Sequence, residues 1–269
     1  MRLALDHMTA VDAMPVELAQ AAHDGGCRAM CLFMHSMEVL PLMPQFNLYN
    51  DREERRELGR CMDALGVGLD LAYPFTLAGR TDVDTFGPAL DCAAQLGARL
   101  VNVLCYDRDA DRRLDRFGRF CDLAAGAGLS VAVEFYPPSQ IRSLAQALAL
   151  VGAIDRPGRV GINVDLLHLM RSGGSIAELA AAPEGTILYG QFADGPAHCH
   201  ADAQEQEASS ERLLPGEGTF DLRGFAAALP PDCPTSVEIP RDHAVLLGEP
   251  RAERVQRAVA GVRNALGEG

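Results

Sequence analysis

Four short apolar runs each end in a side chain that can offer oxygen to a cation: Val131-Ala132-Val133-Glu134, Val160-Gly161-Ile162-Asn163-Val164-Asp165, Ile187-Leu188-Tyr189-Gly190-Gln191 and Ser236-Val237-Glu238. If these runs are strands of one parallel barrel, Glu134, Asp165, Gln191 and Glu238 meet at the C-terminal face, where barrel chemistry is done. Three carboxylates in a partly buried pocket repel one another and lose hydration, which a divalent cation relieves. Ligation by three carboxylates and an amide oxygen suits Mn2+ or Mg2+ better than Zn2+, which favours histidine and cysteine. An acid at one strand end is more simply the N-cap of the next helix. Recurrence at several strand ends favours ligation.

The elements that would position these tips follow from periodicity. Arg2 to Asp6 reads as the first strand, with His7 and Thr9 just past its end, where a barrel places pocket residues. His7 is either a substrate contact or a loop histidine bonded to backbone. Pro15 opens a helix with Val16, Leu18, Ala19 and Ala22 inward, and Gly25-Gly26 stops it. Further strands are expected at Cys27 to Phe33, Val67 to Ala72 and Leu100 to Cys105. Helices are expected over Asp51 to Leu65, Asp84 to Leu96 and through Leu114, Phe117, Cys121 and Ala124. Others carry Ile141, Leu144, Leu148 and Val151, run near Ile176 to Ala181, and follow Pro250. Met34 to Asn50, which includes His35, is too proline-broken for a helix and too apolar for a linker. It is a satellite core under the rim, or else a lid or subunit contact. Phe192 to Thr219 reads as a long polar loop, in which His198 and His200 are most simply solvated.

Strands alternating with helices over residues 1–269 predict one α/β domain, a (β/α)8 TIM barrel. An open doubly wound sheet is less suited, because no glycine-rich phosphate turn follows the first strand. The 24 basic and 37 acidic residues give a net charge of -13, which repels phosphate backbones and argues against nucleic-acid partners. The eight cysteines form no Cys-x-x-Cys pair and read as reduced thiols of a cytoplasmic protein. No leader-like segment and no long apolar span is evident, so no membrane role is expected. Every basic residue apart from histidine is arginine. A lysine Schiff base is therefore impossible.

The segments Glu134-Phe-Tyr-Pro, Val164-Asp165-Leu-Leu-His168, Arg171-Ser-Gly-Gly174, Gln191-Phe-Ala-Asp194, Arg212-Leu-Leu-Pro-Gly-Glu-Gly218 and Ser236-Val-Glu238-Ile-Pro together resemble the xylose isomerase-like TIM-barrel superfamily, in its sugar isomerase and epimerase branch. The resemblance implies one metal held by Glu134, Asp165, Gln191 and Glu238, with His168 and Arg212 reaching the substrate. Xylose isomerases proper use a catalytic lysine, a tryptophan and a second metal, and this chain has neither residue type. Gln191 stands where ketose 3-epimerases place histidine, which looks more like the hydroxypyruvate isomerase or 3-dehydroshikimate dehydratase members. The fold's DNA endonucleases need a histidine-rich zinc cluster and a basic surface, which this chain lacks.

The expected activity is isomerisation or epimerisation of a keto sugar or small hydroxy-keto acid through an enediolate, with Glu134 and Glu238 exchanging the proton. His168 would hydrogen-bond the polarised oxygen or only support Asp165. Arg212 would hold a distal group of the substrate or form a structural ion pair. Dehydration of a cyclic keto polyol such as 3-dehydroshikimate or an inosose is the alternative, and it requires a second proton donor such as His7 or His35. A non-catalytic sugar-binding barrel is the third reading. A homodimer is a further expectation, should the apolar loop be a subunit contact.

Overall fold

Runs rich in valine, leucine and alanine with little polar alternation are what a sheet buried on both faces requires. The computed structural model describes residues 2–268 and places these runs at its centre. The strands are β1 (Leu3–Asp6), β2 (Ala29–Phe33), β3 (Gly68–Leu77), β4 (Leu100–Cys105), β5 (Ser130–Glu134), β6 (Val160–Asp165), β7 (Ile187–Phe192) and β8 (Thr235–Val237). Each pairs in parallel with the next and β8 pairs with β1, closing the expected (β/α)8 barrel.

The helices cover its outside: α1 (Pro15–Asp24), α2 (Arg52–Leu65), α3 (Gly87–Gln95), α4 (Ala110–Gly126), α5 (Leu144–Ile154), α6 (Leu166–Arg171), α7 (Ile176–Ala180), α8 (Gln204–Ser210), α9 (Leu222–Ala228), α10 (Asp242–Leu246) and α11 (Arg251–Leu266). Their buried stripes follow the sequence spacing. Leu18, Ala19 and Ala22 of α1 and Val255, Ala258, Val259 and Val262 of α11 lie in the core. Full burial of each valine or leucine contributes about 1.5–3 kcal/mol. All eight cysteines are free, as expected of reduced thiols. Among the described residues no helix is long and apolar enough to cross a membrane.

Three departures from the sequence expectation bear on the site. β3 continues past Ala72 to Leu77 through Pro74, and the shift in its pairing with β4 between Ala72 and Phe75 spares the proline a ladder hydrogen bond. Helix α6 begins directly at the end of β6, and α8 lies inside the segment expected to be a polar loop. The apolar Met34 to Asn50 segment divides its side chains: Met43, Phe46 and Leu48 enter the core, while Met37, Val39 and Leu40 face the barrel mouth.

His7 does not reach the mouth, which corrects its placement as a pocket residue. The chain turns into a 3-10 helix (His7–Ala10) straight after β1 and takes the ring inward. There Nε2 donates to the Ala13 carbonyl at 2.9 Å, and the ring stacks on Phe46 and meets the edge of Phe33. Burial lowers its pKa to about 4, although the Ala13 bond opposes this. An unfolded histidine titrates near 6.5, so the unfolded chain binds the extra proton between pH 6.5 and about 4. The stability conferred by the neutral ring is intact above pH 6.5 and declines as pH falls toward 4, by roughly 3 kcal/mol in all. Urea unfolding of wild type and His7→Gln at pH 7.5 and 5.0 should show the wild type losing about 2 kcal/mol more than the variant over that interval.

Candidate active site

Asp165 ends β6 and caps α6 at once. Its Oδ1 accepts from the Leu167 and His168 amides at 2.7 and 3.3 Å, so the capping reading holds for this carboxylate while Oδ2 still faces the other site residues. The helix turn that this cap starts carries His168 back over the barrel mouth. His168 Nε2 then lies 3.3 Å from Glu134 Oε1 and 4.0 Å from Asp165 Oδ2, with the Tyr136 ring packed against it. The remaining Asp165 oxygen, Oδ2, accepts from Arg212 Nη1 at 2.6 Å.

Arg212 is the positive charge within this floor. Its Nη1 also donates to the Glu238 carbonyl at 3.1 Å and lies 3.7 Å from Glu238 Oε2, while Nε donates to the Ala208 carbonyl. Two anchors hold its segment. The Arg212 amide donates to the Pro240 carbonyl, tying it to the end of β8, and Asp194 organises the turn that follows. Asp194 accepts from the amides of Gly195, Gly216, Gly218 and Phe220 at 2.8–3.1 Å. A Cβ on Gly218 would collide with that carboxylate, which explains the glycine of the Pro-Gly-Glu-Gly turn. Thr9, near the end of β1, bridges Val237 and Ile239 and so fixes the tip that carries Glu238.

A second chain of side chains crosses the barrel beneath the mouth. Tyr73 donates to Asp6 Oδ1 at 2.5 Å, and Gln191 Nε2 donates to Asp6 Oδ2 at 3.2 Å. Asn163 Nδ2 donates to Gln191 Oε1 at 2.5 Å and to Asn102 Oδ1 at 3.3 Å, and Asn102 donates to Glu134. Asp6 therefore decides which way the Gln191 amide faces. A metal could use only the second lone pair of Gln191 Oε1. Asp6, Tyr73, Asn102, Asn163 and Asp194 were not foreseen as parts of the site. Asp6 and Asn163 carried a faint signal, as polar residues in runs otherwise buried.

Burial drives the Glu238 carboxyl well above its ordinary range, Arg212 opposes this, and Asp6, Asp165 and Glu134 add to it. Burial would raise Asp165 as well, but Arg212 and His168 beside it hold it down to about 2. Burial raises Asp6 to about 6 against the hydrogen bonds from Tyr73 and Met8. Arg212 is pushed upward by Asp165 and Glu238 in spite of its own burial.

These residues fit a divalent ion. Glu134, Asp165 and His168 each offer a ligand atom within 4.8 Å of the others. Glu238 Oε2 is buried without a hydrogen-bond partner, and Arg212 faces the three buried carboxylates Glu134, Asp165 and Glu238. Of the expected ligands, Glu134, Gln191 and Glu238 line a cavity of about 320 Å³ at the mouth together with His168 and Arg212, and Asp165 lies directly beneath. His35 is not among the lining residues, which corrects its expected place: its Nδ1 donates to the Ser36 carbonyl and its ring abuts Tyr49. His198 and His200 are exposed to solvent.

The model of the xylose isomerase-like TIM barrel family matches residues 18–265. No curated protein sequence matches significantly. Among solved structures, an IolI protein with a bound zinc atom superposes with a TM-score of 0.78 at 17% identity, covering 100% of this chain and 99% of that one. A D-psicose 3-epimerase gives 0.75 at 14% identity, covering 99% and 100%. A probable 3-DHS dehydratase from Bacillus anthracis gives 0.75 at 15% identity, covering 97% and 98%. In a xylose isomerase-like TIM barrel/4-hydroxyphenylpyruvate dioxygenase fusion protein, 99% of this chain corresponds to 43% of that longer one, with a TM-score of 0.78 at 19% identity.

Asparagine caps a helix as well as aspartate does, so Asp165→Asn separates the ligand charge from the cap. Equilibrium dialysis with Mn2+ or Zn2+ should find about one ion per wild-type chain. Asp165→Asn and Glu238→Gln should each weaken binding at least ~100-fold with unchanged far-UV circular dichroism.

Proposed function

Because the chain belongs to the xylose isomerase-like TIM barrel family, we propose that it is a divalent-metal-dependent enzyme that isomerises or epimerises a hydroxy-ketone, either a keto sugar or a small hydroxy-keto acid, through an enediolate. One observation carries this reading: Glu134 and Glu238, from the ends of β5 and β8, line one cavity with a buried cation, Arg212, beside them. A divalent ion at this floor would supply Lewis acidity toward the carbonyl and the adjacent hydroxyl oxygen.

The protein's own groups account for the proton. Glu238 has a carboxylate oxygen with no hydrogen-bond partner, so its lone pair is free to take a proton from the carbon between the two oxygens. Glu134 is held from behind by Asn102 and in front by His168, an orientation suited to returning the proton from another direction. His168 Nε2, poised between Glu134 and Asp165, can hydrogen-bond the oxygen on which charge develops. Arg212 carries a permanent charge already neutralised by Asp165, so it orients and stabilises rather than transferring protons.

Dehydration shares the enolising step and differs in needing an acid at the leaving hydroxyl. The positions of His7, buried against Ala13, and His35, turned to Ser36, remove both histidines considered for that task. This supports reprotonation over loss of water. The fold likeness to both an epimerase and a probable dehydratase is compatible with either outcome.

In deuterium oxide, metal-loaded protein given ketoses, hydroxypyruvate and 3-dehydroshikimate should exchange one carbon-bound hydrogen and release an isomer of otherwise unchanged mass. A product lighter by one water, with a new conjugated absorbance, would instead establish the dehydratase. Glu134→Gln and Glu238→Gln should each lower turnover at least ~1,000-fold, and exchange should fall with it.

A further inference from the structure

The cavity has two chemically distinct halves, and strand order divides them. Consecutive strands are neighbours around the closed barrel, so residues from β1 to β4 and their loops line one side, and residues from β5 to β8 line the other. The second side holds Glu134, His168, Gln191, Arg212 and Glu238. The first presents Met8, Phe33, Met37, Leu40, Phe75 and Leu104, with Val39 at the rim. Val39 is 77% exposed, an unusual position for a valine beside a pocket of this kind.

The polar groups on the first side are few, and two of them are committed elsewhere. The Tyr73 hydroxyl is bonded to Asp6 and the Asn102 amide to Glu134, which leaves the Thr76 and Tyr106 hydroxyls to serve a ligand there. No arginine lines that half, and the one arginine in the cavity is paired with Asp165. A hydroxyl driven against this wall exchanges water for carbon, and a phosphate would share the cavity with the Glu134 and Glu238 carboxylates and no unpaired arginine.

We propose that the substrate is an uncharged hydroxy-ketone whose far end is apolar. Its terminal carbons, farthest from the reacting pair, would bear hydrogen or alkyl groups, lying against the β1 to β4 wall, instead of hydroxyl or phosphate. This rests on the enolisation reading of the same site, and it narrows the substrate within that reading. The reacting end is oriented over Glu134, His168 and Glu238, and the far end is selected by Met37, Leu40, Phe75 and Leu104. A fully hydroxylated ketose fits the first requirement and fails the second.

The test compares ligands that share the reacting end: ketohexoses of each stereochemical series, their 6-deoxy and 6-phosphate counterparts, and 1-hydroxyhexan-2-one. Calorimetric affinity for the metal-loaded protein and exchange of the carbon-bound hydrogen, read by NMR, are measured separately. The apolar-ended ligands should bind at least ~10-fold more tightly than the parent ketoses, and the phosphates should bind most weakly. Val39→Ser, a change at an exposed position that does not endanger folding, and Leu40→Asn should each narrow that preference ~3-fold or more. Equal or tighter binding of parent or phosphate, binding of none of the apolar-ended ligands, or an unaltered preference in both variants overturns the inference. If the affinity order holds and no ligand exchanges hydrogen, the enolisation reading fails and the apolar subsite stands. Exchange with the reverse order leaves enolisation in place and removes the subsite.

Discussion

Bringing Glu134, Asp165 and Glu238 around one guanidinium, with Asp6 buried beside them, is the constraint on which the rest of the structure depends. Like charges out of water cost several kcal/mol unless they are paired, protonated or hydrogen-bonded. Each carboxylate here meets a different remedy. Asp165 takes Arg212 and a helix cap, Asp6 takes a tyrosine and a backbone amide, and Glu134 takes Asn102. Among these four, Glu238 has a buried oxygen with no hydrogen-bond partner, and that asymmetry marks the place for a cation and a proton.

The amides between these acids do more than fill space. Asn102, Asn163 and Gln191 each have a donor end and an acceptor end, and the anions at the two extremes of the chain set the direction of all three. Asp6 on β1 and Glu134 on β5 are thus joined by an unbroken run of side-chain hydrogen bonds. Such a network holds a site rigidly while leaving its upper surface free for ligand.

The barrel was legible because buried parallel strands need unbroken apolar runs and their helices need a 3.6-residue stripe, and both are visible by spacing. The strand ends Glu134, Asp165, Gln191 and Glu238 were legible for the same reason, as polar full stops to apolar runs. Where the reading went astray, periodicity had nothing to report. Helix α6 is one and a half turns and rests on the Asp165 cap, and α8, Gln-Glu-Gln-Glu-Ala-Ser-Ser, has no apolar stripe. His7 and His35 were placed by sequence distance from a strand end, yet a single turn of 3-10 helix and one bond to the next carbonyl were enough to take both away from the cavity. Asp6 carried only the faint signal of a polar end to a buried run, and nothing in the spacing told that it meets Tyr73 of β3.

The double tether of Arg212 separates two problems that a long loop usually joins. Its amide is fastened to Pro240, and the turn after it is wound on Asp194, which itself follows β7. The stretch from 196 to 210 leaves and returns at that one knot. It is an excursion from the barrel that is pinned near its return as well, where the Ala208 carbonyl accepts from Arg212 Nε and Glu207 pairs with Arg171, so Arg212 is held by its side chain and its backbone alike.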